Sequence, residues 1–246
     1  MKYFTVEELT EQDREHAHEI LEQCAGKSVR DRFAIRVFNE YHDRFFTERA
    51  KTRVLDLGVA SGIFLRQLYD DGYRELSATD VDDYRQPENH AIIREFRTLD
   101  LNRDPLPWPD RTFDIVSAWC VLPHLENPFH AEREIARVLR PGGVFVFTAP
   151  YLWSKPSRDY FLRRGDFRSY RATNNHISLF TPGVIKKSFS RAFDPVATEY
   201  HFRPKVFWGA KGKLRRLVWK AASASMKKRI ARRWAYNAIY VMRKKV

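Results

Sequence analysis

In Asp56-Leu57-Gly58-Val59-Ala60-Ser61-Gly62 a carboxylate precedes two glycines spaced four apart, a pattern suited to holding a ligand against bare backbone. Glycine-led turns of this kind lie at the carboxyl ends of strands, where open α/β sheets bind nucleotides. Their amides alone favour an anionic pyrophosphate. Asp56 shifts that preference toward a cation carrying an amino-acid tail. A second acid, Asp80, follows Gly58 by 22 residues, close to the spacing of about 20 at which such a residue takes the ribose hydroxyls of a nucleoside. One carboxylate can accept from both vicinal hydroxyls. Asp82 and Asp83 are expected as solvated helix-start residues, with Asp82 the substitute if the register slips.

These residues need strands and helices to hold them. Arg53–Leu57 reads as a buried strand, and Phe64, Leu65, Leu68 and Tyr69 then repeat at helical spacing up to Gly72. Glu75–Asp80 makes a second strand. Arg94–Leu99 makes a third, poorer in apolar residues and so expected near an edge, ending in Asp100-Leu101. Pro105, Pro107 and Pro109 stiffen a loop ahead of a fourth strand through Phe113-Asp114-Ile115-Val116-Ser117-Ala118-Trp119. Asn127-Pro128 starts a helix whose buried face holds Ile135, Val138 and Leu139, and Arg140-Pro141-Gly142-Gly143 ends it before a fifth strand over 144–148. Val196–Phe202 alternates like a sixth strand. Ahead of this core, Thr5 and Glu8 form a capping-box pattern for a helix to about Cys24, and a second helix after Ser28 carries Phe33, Val37, Phe38, Tyr41 and Phe45. That pair is expected either to pack on the core or to form a lid over a substrate.

The first segment resembles the opening Asp-x-Gly-x-Gly-x-Gly motif of the class I S-adenosylmethionine-dependent methyltransferases. Asp56, Gly58 and Gly62 match, and Ala60 replaces the middle glycine, a change tolerated if that residue sits at negative φ. The Pro-rich lead-in to Phe113-Asp114 and the Leu139-Arg140-Pro141-Gly142-Gly143 loop are similar to the broad group that includes quinone and small-molecule enzymes, and the motifs span about residues 53 to 150. The resemblance implies a Rossmann-like α/β fold: a seven-stranded, mostly parallel sheet with helices on both faces and an antiparallel last strand, at Asn237-Ala238-Ile239-Tyr240-Val241-Met242-Arg243-Lys244. It implies S-adenosyl-L-methionine as cofactor, with Asp56, Gly58, Ala60, Ser61 and Gly62 in the binding turn, Asp80 on the ribose and Val81 against the adenine face. Asp100 would meet the adenine amino group and the Leu101 amide the ring edge; the alternative for Asp100 is a turn-forming residue. Trp119 would offer backbone to the methionine portion and its ring as a wall. Where the family commonly has two histidines this chain has Pro123 and His124. His124 is therefore the first candidate for the base that deprotonates an acceptor, set against a plain helix-start role bonded to backbone. His176, before Thr181-Pro182 at the start of the last core helix, is the second.

The 246 residues carry a net charge of +13, unevenly placed: 15 Lys and Arg and no acid lie from Tyr200 onward, leaving 29 basic against 31 acidic residues before it, a balance of minus 2. The reading is an N-terminal helical cap (1–50), a core (51–202), a basic helical insertion (203–236) with an expected break near Ser223 to Ser225, and a terminal strand (237–246). Such an insertion suits an anionic membrane surface ahead of nucleic acid, or a solvated helix pair packed on the sheet. Neither Cys24 nor Cys120 stands in a metal-ligand or redox spacing, which argues against a zinc site or disulfide framework. A cytoplasmic protein, peripheral at the membrane if the insertion binds lipid, is expected. The function so reached is methyl transfer to a hydroxyl of a small-molecule, lipid-linked or glycan acceptor. An RNA methyltransferase, a non-catalytic module of the same fold and a dehydrogenase are the alternatives.

Overall fold

The computed structural model describes residues 32–170, 175–201, 217, 219 and 221–246. The expected helix over Thr5–Cys24 and most of 203–220 lie outside them. The strands are β1 (Arg53–Leu57), β2 (Glu75–Asp80), β3 (Glu95–Thr98), β4 (Phe113–Ala118), β5 (Leu139–Pro150), β6 (Phe193–His201) and β7 (Asn237–Lys244). They form one sheet in the order β3-β2-β1-β4-β5-β7-β6. Strands β1 to β5 pair in parallel, and β7 runs antiparallel to both β5 and β6. Strand β3 lies at the edge, as its polar composition predicts.

The helices are α1 (Arg32–Phe45), α2 (Ile63–Asp70), α3 (Pro87–His90), α4 (Pro128–Val138), α5 (Lys155–Arg164), α6 (Pro182–Phe189) and α7 (Ala224–Trp234). Strand alternation divides the core in two. Leu55, Leu57, Val116, Ala118, Phe145 and Phe147 pack toward α4 and α6. Val54, Ile115, Val144 and Val146 pack toward α1 and α2. On this second face Phe38 of α1 meets Phe64 and Tyr73 edge-on, with ring centroids 5.5 and 5.7 Å apart, so α1 is bound to the core and is not only a cover.

Several boundaries move. Strand β5 starts at Leu139, because pairing with β4 reaches back to Phe113 through a register shift that absorbs the glycines. Strand β6 begins at Phe193 because β7 pairs with it from Lys244 onward. Asp82 and Asp83 start no helix. Asp83 instead pairs with Arg85, which also lies over the Phe96 ring at 3.9 Å. The expected break is the start of α7, where the Ser223 hydroxyl caps the Met226 amide. Part of the basic charge there is used internally: Lys228 pairs with Glu199 of β6, and Arg232 donates to the Tyr151 hydroxyl. No helix among the described residues is long and apolar enough to cross a membrane.

Candidate active site

The chain order reverses between β1 and β4, and the carboxyl ends of these neighbours open a crevice at the switch point. Alternation puts Asp56 of β1, Ser117 of β4 and Thr148 of β5 on the α1/α2 face. The Ser117 hydroxyl donates to Asp56 Oδ1 at 2.6 Å. Burial, reinforced by the charge of Asp80, holds the Asp56 carboxyl well above the usual carboxylate range, although the Ser117 bond pulls the other way. A cleft of about 360 Å³ sits over it, lined by Asp56, Gly58, Ala60, Ser61, Trp119 and Cys120, with Phe33 and Ala34 of α1 above and Thr148 and Asn237 opposite. That volume suits a small ligand. Helix α1 thus packs on the core and covers the cleft as well.

The turn after β1 is held by its own backbone and by Asp80. The amides of Gly58 and Val59 donate to Thr79 O at 2.8 and 3.1 Å. Asp80 accepts from Ala60 N through Oδ2 and from Val81 N through Oδ1, both at 2.8 Å. Gly58 stands at φ +67°, and a Cβ there would lie 2.5 Å from Val121 Cγ2. Gly62, at φ +80°, begins α2, and a Cβ on it would meet Asn89. The negative φ at which alanine would be tolerated freely is not found at Ala60, which lies at +46°. Closing the turn onto Asp80 puts this residue in left-handed backbone, where alanine accepts strain of about 1–2 kcal/mol.

The predicted residues therefore separate into groups. Asp56, Gly58, Ala60, Ser61 and Trp119 share the cleft, with Gly62 at its helix start and Asp80 fastened behind its turn. Val81, Asp100 and Leu101 lie past the ends of β2 and β3, outside the cleft lining. Asp100 is engaged in its own turn: Oδ1 accepts from Asn102 N and Nδ2 at 2.9 and 3.0 Å, and Oδ2 lies 3.4 Å from Arg103 Nε. The Trp119 ring packs against Phe64, and its Nε1 is buried without a hydrogen-bond partner among the described residues.

The two histidines meet. The His124 and His176 rings lie 4.5 Å apart, and His176 Nε2 is 3.6 Å from Cys120 Sγ. Cys120, His124 and His176 each present a ligand atom within 4.8 Å of the others, so the fold assembles the metal-type cluster that chain spacing argued against. Burial pushes the Cys120 thiol up, but hydrogen bonds from both imidazoles, and their charges, outweigh it and bring it down to about 6. Cys120 takes φ +61°, and its amide donates to Thr148 Oγ1 at 2.6 Å. Sequence reasoning passed over Ser117, Thr148 and Cys120. The available signal was a hydroxyl inside an apolar strand, in phase with Asp56.

A methyltransferase-domain family model matches residues 30–192, about two thirds of the chain. An uncharacterized chloroplastic methyltransferase of Arabidopsis thaliana is 29% identical over 54% of this chain and 40% of its own length. A ubiquinone/menaquinone biosynthesis C-methyltransferase of Pseudoalteromonas translucida is 24% identical over 47% of this chain and 43% of its own. The matched stretch thus spans less than half the length of either relative. Among solved structures, an S-adenosylmethionine-dependent methyltransferase of Mesorhizobium loti superposes with a TM-score of 0.54 at 17% identity over 83% of this chain and 96% of that one, a likeness of fold. With the matching family model, the β3-β2-β1-β4-β5-β7-β6 sheet and the acid-led turn at its switch point, the chain belongs to the class I S-adenosylmethionine-dependent methyltransferases, whose cofactor is S-adenosylmethionine.

Proposed function

We propose that the protein binds S-adenosylmethionine in the cleft over Asp56 and transfers its methyl group to a hydroxyl oxygen of an apolar, lipid-linked or other small-molecule acceptor. The observation that carries the reading is the buried Asp56 carboxylate beneath a turn of left-handed backbone. The residues fit the cofactor. A cation offsets the cost of keeping that carboxylate ionised, Gly58 leaves room no side chain could share with Val121, and the orphaned Trp119 Nε1 supplies a donor. When bound, the cofactor supplies an activated methyl group.

This chain's residues then orient and move protons. Asp80 accepts backbone N–H groups through both oxygens, and a carboxylate oxygen can accept more than one hydrogen bond, a ribose hydroxyl's included. Asp100, Leu101 and Val81 take the adenine end, and Gly62 and Ser61 complete the turn. Trp119 walls the methyl-bearing side. His124 takes the acceptor's proton, with His176 beside it. Holding the acceptor in line is the larger contribution, since alignment is what displacement at an activated carbon needs.

An apolar cavity of about 230 Å³ between Leu152, Trp153, Phe161, Leu162 and Phe167, edged by Arg158, supports an apolar acceptor with an anionic part. Methylation at carbon is the second reading, favoured by the C-methyltransferase relative. The test follows label from methyl-labelled S-adenosylmethionine into hydroxylated quinone-type lipids, with a glycan and RNA in parallel. The expected result is label in an ether of the lipid, with turnover about 10²–10⁴-fold lower in His124→Gln at unchanged cofactor affinity. Label on carbon would replace the oxygen reading, label in RNA or glycan would replace the acceptor class, and full turnover in His124→Gln would remove that residue as base.

A further inference from the structure

We propose that Cys120, His124 and His176 form a three-ligand site for a thiophilic divalent cation, Zn²⁺, at the wall of the cofactor cleft. The three ligand atoms lie within 4.8 Å of one another. In a tetrahedral zinc site, bonds of about 2.3 Å to sulfur and 2.0–2.1 Å to nitrogen place those two atoms about 3.6 Å apart. Cys120 Sγ and His176 Nε2 are 3.6 Å apart.

The surroundings hold the ligands in place. The Nδ1–H of His176 donates to the Ser169 carbonyl at 2.6 Å, the kind of partner that fixes the tautomer of a ligating histidine and turns the other nitrogen's lone pair toward the metal. The amides of Ile177 and Ser178 both donate to the Pro123 carbonyl, at 2.8 and 3.0 Å. The Ser178 hydroxyl donates to Leu125 O at 2.6 Å. His176 is thereby clamped onto the turn that carries His124. Cys120 is kept in left-handed backbone by Thr148, strain that the surrounding structure must sustain. Two imidazoles and one thiolate are borderline-soft ligands that select zinc over magnesium or calcium. Three protein ligands leave a fourth coordination position, and Cys120 also lines the cleft.

A bound ion occupies the imidazole lone pairs that proton transfer from an acceptor uses, so the loaded protein turns over more slowly than the free one. Binding itself is independent of whether methyl transfer occurs. The test is titration of the chelator-treated full-length protein with Co²⁺, followed by competition with Zn²⁺. The expected result is one equivalent of Co²⁺, a thiolate-to-cobalt charge-transfer band with four-coordinate visible bands, and their loss on adding Zn²⁺. Cys120→Ser abolishes the charge-transfer band, and His176→Ala weakens Co²⁺ at least about tenfold. Absence of the thiolate band in the wild-type protein overturns the proposal whether or not the variants fold. So does a folded Cys120→Ser variant that keeps the wild-type spectrum.

Discussion

Gly58→Ala tests how the turn is built. The residue holds φ +67°, and a Cβ would stand 2.5 Å from Val121 Cγ2. An L residue in left-handed backbone costs about 1–2 kcal/mol, and overpacking adds roughly 1–3 kcal/mol. The stiffer unfolded chain returns about 0.4–1 kcal/mol. The net expectation is a loss of about 2–4 kcal/mol, or roughly 5–15 °C in Tm for a chain of this size. Val121→Ala removes the clash but not the φ strain. A four-protein cycle by urea unfolding should therefore show the two substitutions coupled by about 1–3 kcal/mol, with the double variant less impaired than the sum of the singles. Zero coupling would refute the contact between the turn and the loop that leads to His124, and a Gly58→Ala variant as stable as wild type would refute the left-handed turn itself.

Two further substitutions test buried acids. Burial holds the Asp56 carboxyl above its usual range, so its contribution to stability is present below the unfolded pKa and lost as pH rises through the folded one. Asp56→Asn should unfold at higher urea than wild type near about pH 8, yet bind S-adenosylmethionine about tenfold or more weakly, because a charged hydrogen bond contributes roughly 1.5–3 kcal/mol. Wild-type affinity should rise with pH while the variant's stays flat, and parallel profiles in a calorimetric titration would count against the assignment. In α4, burial raises Glu132 from 4.5 to about 6, so its favourable contribution is complete below about 4.5 and gone above about 6. That shift corresponds to about 2 kcal/mol, or about 1 kcal/mol after solvent screening. Glu132→Gln should be more stable by that amount near about pH 7.5, and an unchanged urea midpoint there would contradict it.

Strand ends carried most of what the sequence made legible. Asp56 and Asp80 could be placed because apolar runs fix where a strand stops, and a residue in a strand's last two positions has few places to point. Residue type alone did not reveal the backbone of Ala60: its φ of +46° follows from the bond to Asp80 across two strands. The Cys120–His176 contact joins residues 56 apart, a separation with no period to read, and depends on residues 176–178 bonding to the turn at Pro123. Leu139 and Phe193 joined strands for a similar reason, since partner strands extended pairing beyond the local pattern.

The most direct measurement is equilibrium titration of S-adenosylmethionine into the wild-type protein and Asp80→Ala. One molecule should bind per chain, with affinity at least about tenfold lower in the variant, which lacks the charged acceptors for the ribose hydroxyls and the hold on Ala60. No binding to the wild-type protein, or equal affinity in the two, would contradict that expectation.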